Sequence, residues 1–327
     1  MEIGKLPNDL LEKLVFSNIK NKREEVLERA GIGRDCAVLD FGKDVCVTST
    51  DPITGASKNI GSIAVHISCN DVASNGAEPI GLLMTILAPK DTTEKDIEII
   101  MDEAGETASK LNVEIIGGHT EITDAVNKIV VTTTVIGKKA KEKVIPLDNI
   151  KPKDKVLITK VAALEGTGII ANELEYKLQG KISKKLIENG KKLLNSISVV
   201  KEGIICGNIG VPYMHDITEG GVLGAVWEAA KAIGKGIRIK KNSIPILDST
   251  KEICKFFNID PLKLISSGSM LIIAPDEKVN IIEERLNKEG INISVIGEVI
   301  EEGIIMENDG QIVEIGQPES DELYKVV

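Results

Sequence analysis

The sequence predicts a two-domain α/β (α+β) protein, and three observations carry that reading. Its 327 residues are more than one hydrophobic core usually organises. In each half, short runs of β-branched residues alternate with segments whose apolar positions recur at helical spacing. A lysine-rich stretch with two prolines, residues 138–155, separates the halves, placing an N-terminal domain at 1–150 and a C-terminal domain at 151–327.

Within the first half, Leu10, Leu11, Leu14 and Val15, then Val26 and Leu27, suggest two short helices. Gly31-Ile32-Gly33 reads as a turn, and Val45–Thr50 as a strand ending at Asp51-Pro52. A helix is expected from about Gly61 to Ala77, then a strand Gly81–Ala88. Asp91-x-x-Glu94 has the pattern of a capping box opening a helix to about Leu111. The strand Val113–Ile116 runs into a glycine turn at Gly117-Gly118, and Lys128–Ile136 is a further strand. The second half restarts with strand Val156–Thr159 and a glycine-containing turn, Leu164–Gly168. Helices around 182–206, a junction at Met214–Gly221, a helix to Ala232 and a proline-marked stretch at 245–262 come next. Strand Met270–Ala274, helix Glu277–Glu289 and closing strands through Val313 complete it.

Composition excludes several functions. A net charge of −10 argues against a sequence-independent grip on nucleic acid, which needs clustered Lys and Arg. No apolar run approaches the roughly 18–20 residues that cross a bilayer. The first residues lack the regions of a signal peptide, so the expected location is cytoplasmic. The five cysteines are odd in number without a CxxC pair, which points to reduced, buried thiols. His66, Cys69 and Trp227 read as packed residues.

Chemistry is expected at four acidic junctions: Asp35 after the Gly31 turn, Asp51, Asn70-Asp71, and Asp216-x-Thr218-Glu219-Gly220-Gly221. Each lies where one element meets another, and a carboxylate there is either a cap or a hard oxygen ligand of the kind Mg²⁺ takes. Around Asp71, Ala73, Gly76 and Ala77 leave a smooth face for close approach. Gly117-Gly118 would let backbone N–H groups approach an anion, although taken alone it reads as a plain strand-end turn, and an acid/base or polar role is open to His119 and His215 beside the junctions. The P-loop pattern and the third glycine of a dinucleotide fingerprint are missing, which excludes both of those nucleotide folds.

The motif order Gly33-x-Asp35-x-Ala37, Thr50-Asp51-Pro52, Asn70-Asp71-Val72-Ala73-x-x-Gly76-Ala77-x-Pro79, Gly117-Gly118-x-Thr120, His215-Asp216-x-Thr218-Glu219-Gly220-Gly221 and Ser266-Ser267-Gly268 resembles the aminoimidazole ribonucleotide (AIR) synthetase-like superfamily. Within it, the likeness is to the hydrogenase-maturation HypE proteins and AIR-synthase-related relatives. The resemblance implies an N-terminal domain that dimerises through a β-barrel and a C-terminal α/β domain, with ATP and Mg²⁺ in the cleft between them. It implies metal ligands at Asp35, Asp51, Asp71, Asp216 and Glu219. It places Asn70, Gly117, Gly118, Thr120 and Thr218 at the nucleotide, and Asp71, His119 and Glu121 in catalysis. The implied reaction is activation of an amide or carboxamide oxygen by phosphoryl transfer, on a small or protein-borne substrate. The alternatives are a small-molecule kinase, an AIR-synthetase-type cyclase, or a non-catalytic nucleotide-binding maturation partner.

Two departures from the family pattern bear on this. HypE proteins end in a cysteine that carries the carbamoyl group, whereas this sequence ends Leu323-Tyr324-Lys325-Val326-Val327, so dehydration of a self-carried group is not expected. His119 stands where many members have Asp, so that metal position is either lost or taken by Glu121. Thiamine-monophosphate kinases match less well, since they read Asp-x-Ser-Asp where this chain has Asp216-x-Thr218-Glu219.

Overall fold

The computed structural model describes residues 8–19, 22–29, 31–34, 36–54 and 58–326. Asp35 lies outside them. The strands are β1 (Val26–Glu28), β2 (Ala37–Phe41), β3 (Asp44–Ile53), β4 (Glu78–Ala88), β5 (Glu114–Ile122), β6 (Val130–Ala140), β7 (Lys155–Thr159), β8 (Tyr213–Asp216), β9 (Gly236–Lys240), β10 (Met270–Ala274), β11 (Ile293–Ile300), β12 (Ile304–Asn308) and β13 (Gln311–Glu314). The helices are α1 (Asn8–Leu14), α2 (Ile60–Ser74), α3 (Glu94–Leu111), α4 (Leu164–Glu173), α5 (Glu175–Leu178), α6 (Lys184–Lys191), α7 (Val200–Ile209), α8 (Gly221–Ile233), α9 (Asp248–Phe257) and α10 (Asp276–Lys288).

Two sheets divide these elements. One has the order β1-β2-β3-β6-β4-β5 and the other β13-β12-β9-β11-β7-β10-β8. Pairing is antiparallel except between β4 and β5 and between β9 and β12. Helices α2 and α3 pack together over one face of the first sheet, around Val38, Val47, Val72, Leu82, Ile86 and Val135. On its other face Leu83 on β4 and Ile116 on β5 are exposed.

The second sheet is covered on both faces. Along β10, Leu271 and Ile273 belong to the cluster containing α8, while Met270, Ile272 and Ala274 belong to the cluster of α7 and α10. A strand buried on both sides reads as the continuous apolar run Met270-Leu271-Ile272-Ile273-Ala274.

The halves are joined where α2 packs against α7 and β8. A Cβ at Gly203 on α7 would stand 2.0 Å from the Ala73 carbonyl oxygen, so only glycine permits this approach. Asn70 on α2 locks the contact. Its Nδ2 donates to the Ile197 carbonyl at 2.8 Å, and its Oδ1 accepts from the Val199 N–H at 2.8 Å.

Several local expectations are corrected. Val26 and Leu27 lie in β1, not a second helix; two adjacent apolar residues cannot establish a period, and pairing with β2 decides. β3 runs through Asp51 and Pro52 to Ile53. Pro52 is tolerated because β2 pairs only as far as Thr48, leaving that side of the strand without a ladder. The capping box is Thr93 with Asp96, two residues beyond the expected pair. Leu164–Gly168 opens α4 instead of forming a turn, and both α9 and β9 are additions to the sequence reading. Gly117 and Gly118 continue β5 as extended backbone at φ +150°. At Gly118 a Cβ would meet the Met84 carbonyl oxygen at 1.8 Å.

Candidate functional site

Where the halves meet, a cleft of about 350 Å³ opens beside the α2 junction. Strand β3 and helix α2 build one wall. Alternation along β3 turns Ser49 and Asp51 to the same side, and on α2 Ile63, Ile67 and Asp71 recur every four residues, so all five line the cleft. The Ser49 hydroxyl lies 2.6 Å from Asp71 Oδ2 and 3.4 Å from Asp51 Oδ2, bridging the two carboxylates. Asp71 is 7 % exposed, whereas Asp51 and Ser49 are half-buried. The turn Gly31–Arg34 closes one end and brings Arg34 to the wall, 3.8 Å from Glu28.

The second half supplies the opposite wall. Thr218 and Glu219 come from the loop between β8 and α8, Glu165 and Ile169 from α4, and Ile265 and Ser267 from the loop before β10. The closing 3₁₀ turn, Glu322–Lys325, places Leu323 and Tyr324 there as well. That turn is fixed by Asp321, whose carboxylate accepts from the backbone N–H groups of Gly220 (2.7 Å), Leu323 (2.8 Å) and Ile265 (3.2 Å). Burial nevertheless pushes the Asp321 carboxyl up to about 6, against the opposing pull of those N–H donors. The Tyr324 hydroxyl donates to Glu219 Oε1 at 2.8 Å, and burial followed by the Glu219 charge raises its pKa. Glu165 is 4 % exposed, and burial pushes its carboxyl up to about 7. Glu228, which also lines the cleft, meets the buried His215 ring at 2.9 Å.

Of the residues expected at the site, Asp51, Asp71, Thr218 and Glu219 line this one cleft, although they come from distant parts of the chain. Others stand elsewhere. Asn70 is spent on the inter-half clamp. Asp216 is fully buried, its Oδ1 3.1 Å from the Ser74 hydroxyl, which ties β8 to the end of α2. Gly117, Gly118, His119, Thr120 and Glu121 are exposed on the edge strand β5 and do not line the cleft, with His119 Nε2 3.4 Å from Glu121 Oε2. Among the described residues no three His, Cys, Asp or Glu side chains converge to hold a metal ion by themselves. Asp35, the fifth carboxylate expected to hold metal, lies outside the described residues. Cys69 is buried and its thiol is pushed up to about 12 by desolvation, which removes it as a nucleophile.

Glu165, Asp321 and Tyr324 carry no site expectation from the sequence, and Ser267 enters there only within the Ser266-Ser267-Gly268 motif. The signal for Glu165 was a single acid in an apolar run, between Ala162-Ala163-Leu164 and Ile169-Ile170, where burial without a paired cation is unusual.

Comparison with known proteins gives the class. The AIR synthase related protein N-terminal domain matches residues 33–138 and the corresponding C-terminal domain matches 151–307. The chain belongs to this family of AIR synthase related, PurM-like proteins. Within it the chain stands close to the HypE proteins. It is 27 % identical, over 93 % of its length and 91 % of the relative's, to a Methanocaldococcus jannaschii protein assigned to hydrogenase expression and formation. It is 24 % identical to the carbamoyl dehydratase HypE of Rhodobacter capsulatus, over 91 % of this chain and 87 % of that one. Among solved structures, HypE in a HypE–HypF complex superposes with TM-score 0.77 at 23 % identity, covering 94 % of this chain and 99 % of that one. A HypE structure in complex with ATP superposes with TM-score 0.70 at 21 % identity, covering 96 % and 95 %. Both neighbours share the two-domain fold.

Proposed function

We propose that the chain is an ATP- and Mg²⁺-dependent enzyme of the HypE kind, which activates an amide or carboxamide oxygen by phosphoryl transfer in hydrogenase maturation. One observation carries this: Asp51 and Asp71 from one half line the same cleft as Thr218 and Glu219 from the other. An oxygen-only set with too few protein ligands for a cage suits Mg²⁺, which retains waters and takes further ligands from phosphates. Asp51, Asp71 and Glu219 are the residues to hold it, and when bound it supplies charge neutralisation on the phosphates.

The chain's own residues supply the rest. The Ser49 hydroxyl fixes the orientation of Asp71. Arg34 offers a guanidinium to phosphate oxygens. Ile63, Ile67, Ile169, Ile265 and Leu323 keep the walls apolar, which strengthens every charge interaction inside. The relatives' assignment to hydrogenase maturation and the HypE–HypF complex support a protein-borne carboxamide as substrate. A homodimer belongs to this reading. The face of the first sheet that exposes Leu83 and Ile116 is the surface a second copy covers, and Leu83→Asp with Ile116→Asp is expected to halve the mass in light scattering.

The deciding experiment is calorimetric titration of ATP, with and without Mg²⁺, into wild type and Asp71→Asn. Binding that requires Mg²⁺ and weakens about tenfold or more, or about 1.4 kcal/mol, in the variant is the expected outcome. Absence of binding to wild type at millimolar nucleotide overturns the reading.

A further inference from the structure

Glu165 stands apart from the other acids of the cleft. It sits in the first turn of α4, whose N-cap Ala163 has no side-chain cap, and it is 4 % exposed. Its Oε2 is buried and makes no hydrogen bond. Ser267 has no exposed surface, and among the described residues its buried hydroxyl has no neighbour to pair with except the Glu165 carboxyl. The two groups belong together: Ser267, through its hydroxyl and its backbone N–H, is the neighbour that most opposes the effect of burial on Glu165. Both line the cleft, among Ile169, Ile265 and Leu323. The charged groups acting on Glu165, Asp321 and Glu219, are both acidic, so no cation offsets its burial there.

Buried polar groups are normally hydrogen-bonded, and a carboxyl oxygen left without a donor, beside a hydroxyl whose neighbour is that same carboxyl, marks a place in the cleft wall for a ligand that brings the missing donors and acceptors. An ammonium ion would have to shed its hydration into an apolar pocket, which is costly. A neutral carboxamide loses far less, and it presents an N–H and a C=O side by side, matching a carboxyl and a hydroxyl.

We propose that Glu165 and Ser267 form the acceptor subsite of the cleft, holding the N–H edge of a neutral primary carboxamide while nucleotide occupies the Asp51–Asp71 side. This rests on the phosphoryl-transfer reading for its purpose but not for its test. Selectivity for carboxamide over amine or carboxylate follows from the pairing of one carboxyl and one hydroxyl with no fixed cation.

The test is ligand-observed NMR on the full chain without nucleotide, using acetamide, acetate and ethylammonium as probes. Acetamide is expected to bind wild type in preference to the other two. Glu165→Leu, close in size and removing the acceptor, is expected to weaken acetamide at least about tenfold, and Ser267→Ala about threefold. Glu165→Gln, which keeps a carbonyl oxygen, is expected to stay within about threefold of wild type, and Asp71→Asn to match it. Melting curves show that the variants fold, and the gradation between Leu and Gln separates recognition from structure. Preference for acetate or ethylammonium, acetamide binding that ignores Glu165→Leu, or no acetamide binding to wild type each overturns the subsite. Failure of wild type to bind Mg-ATP would overturn the phosphoryl-transfer reading alone and leave the acetamide result to decide this one.

Discussion

The two walls of the cleft treat their acids in opposite ways. On the β3–α2 wall, Asp51 is half-buried and Asp71 accepts from a hydroxyl 2.6 Å away, so a pair of carboxyl groups faces the cleft with the oxygen ligands a hard cation takes. On the α4 wall, Glu165 is buried beside Ser267, with acidic neighbours that oppose its ionisation. Residues of similar chemistry thus acquire different roles from desolvation and neighbours alone. Asp51 and Asp71, with Glu219 across the cleft, offer oxygens to a cation, while the segment around Glu165 suits a neutral group, as the proposed reaction between a nucleotide and an uncharged acceptor requires.

The comparison holds only while the walls keep their spacing, and that depends on the α2–α7 contact. Gly203→Ala drives a methyl into the Ala73 carbonyl and is expected to cost roughly 3 kcal/mol or more in urea unfolding, the largest effect here. A loss under about 1 kcal/mol would mean that the helices slide freely and the walls are not rigidly set.

Next in size is the pH dependence of Glu165→Leu. The folded pKa of Glu165, about 7, lies above its ordinary 4.5, so the folded state holds a proton that the unfolded chain releases. Wild type therefore loses stability as pH rises from about 4.5 to 7, and the variant does not. The variant's relative gain should be near zero below pH 4.5 and reach roughly 3 kcal/mol above pH 7. His66, held down to about 4 by burial, titrates in the opposite sense in both proteins and cancels from the difference. A pH-independent difference would place Glu165 in a solvated setting and erase the contrast between the walls.

Smaller effects sharpen the charged wall. Ser49→Ala removes the donor to Asp71 and is expected to weaken Mg-ATP about threefold, read by calorimetry. Smallest, Tyr324→Phe releases Glu219 from its 2.8 Å donor and is expected to strengthen Mg-ATP about twofold. Weaker binding instead would make the tyrosine a positioning group for Glu219.

Local chemistry made much of this molecule legible in its sequence. The apolar run of β10, the helical spacing of α2 and the glycines at 220–221 each specify their element from neighbours within a few residues. Val26–Leu27, Gly117–Gly118 and Leu164–Gly168 misled because a short stretch is compatible with two conformations, and strand pairing or helix packing from elsewhere chooses between them. The acidic junctions showed which residue types carry chemistry, since carboxylates beside glycine turns are recognisable without a fold.

Only the tertiary structure sorted those acids. It brought Asp51, Asp71, Thr218 and Glu219 to one cleft, turned Asn70 and Asp216 to the joint between the halves, and left His119 and Glu121 on an open edge strand. It also revealed Glu165, because desolvation is set by what surrounds a side chain and not by its neighbours in sequence. The sequence by itself determined most of the elements and the family. Which acids face ligand, which face backbone and which are kept from ionising was decided by packing, for burial and distance exist only once the chain has folded.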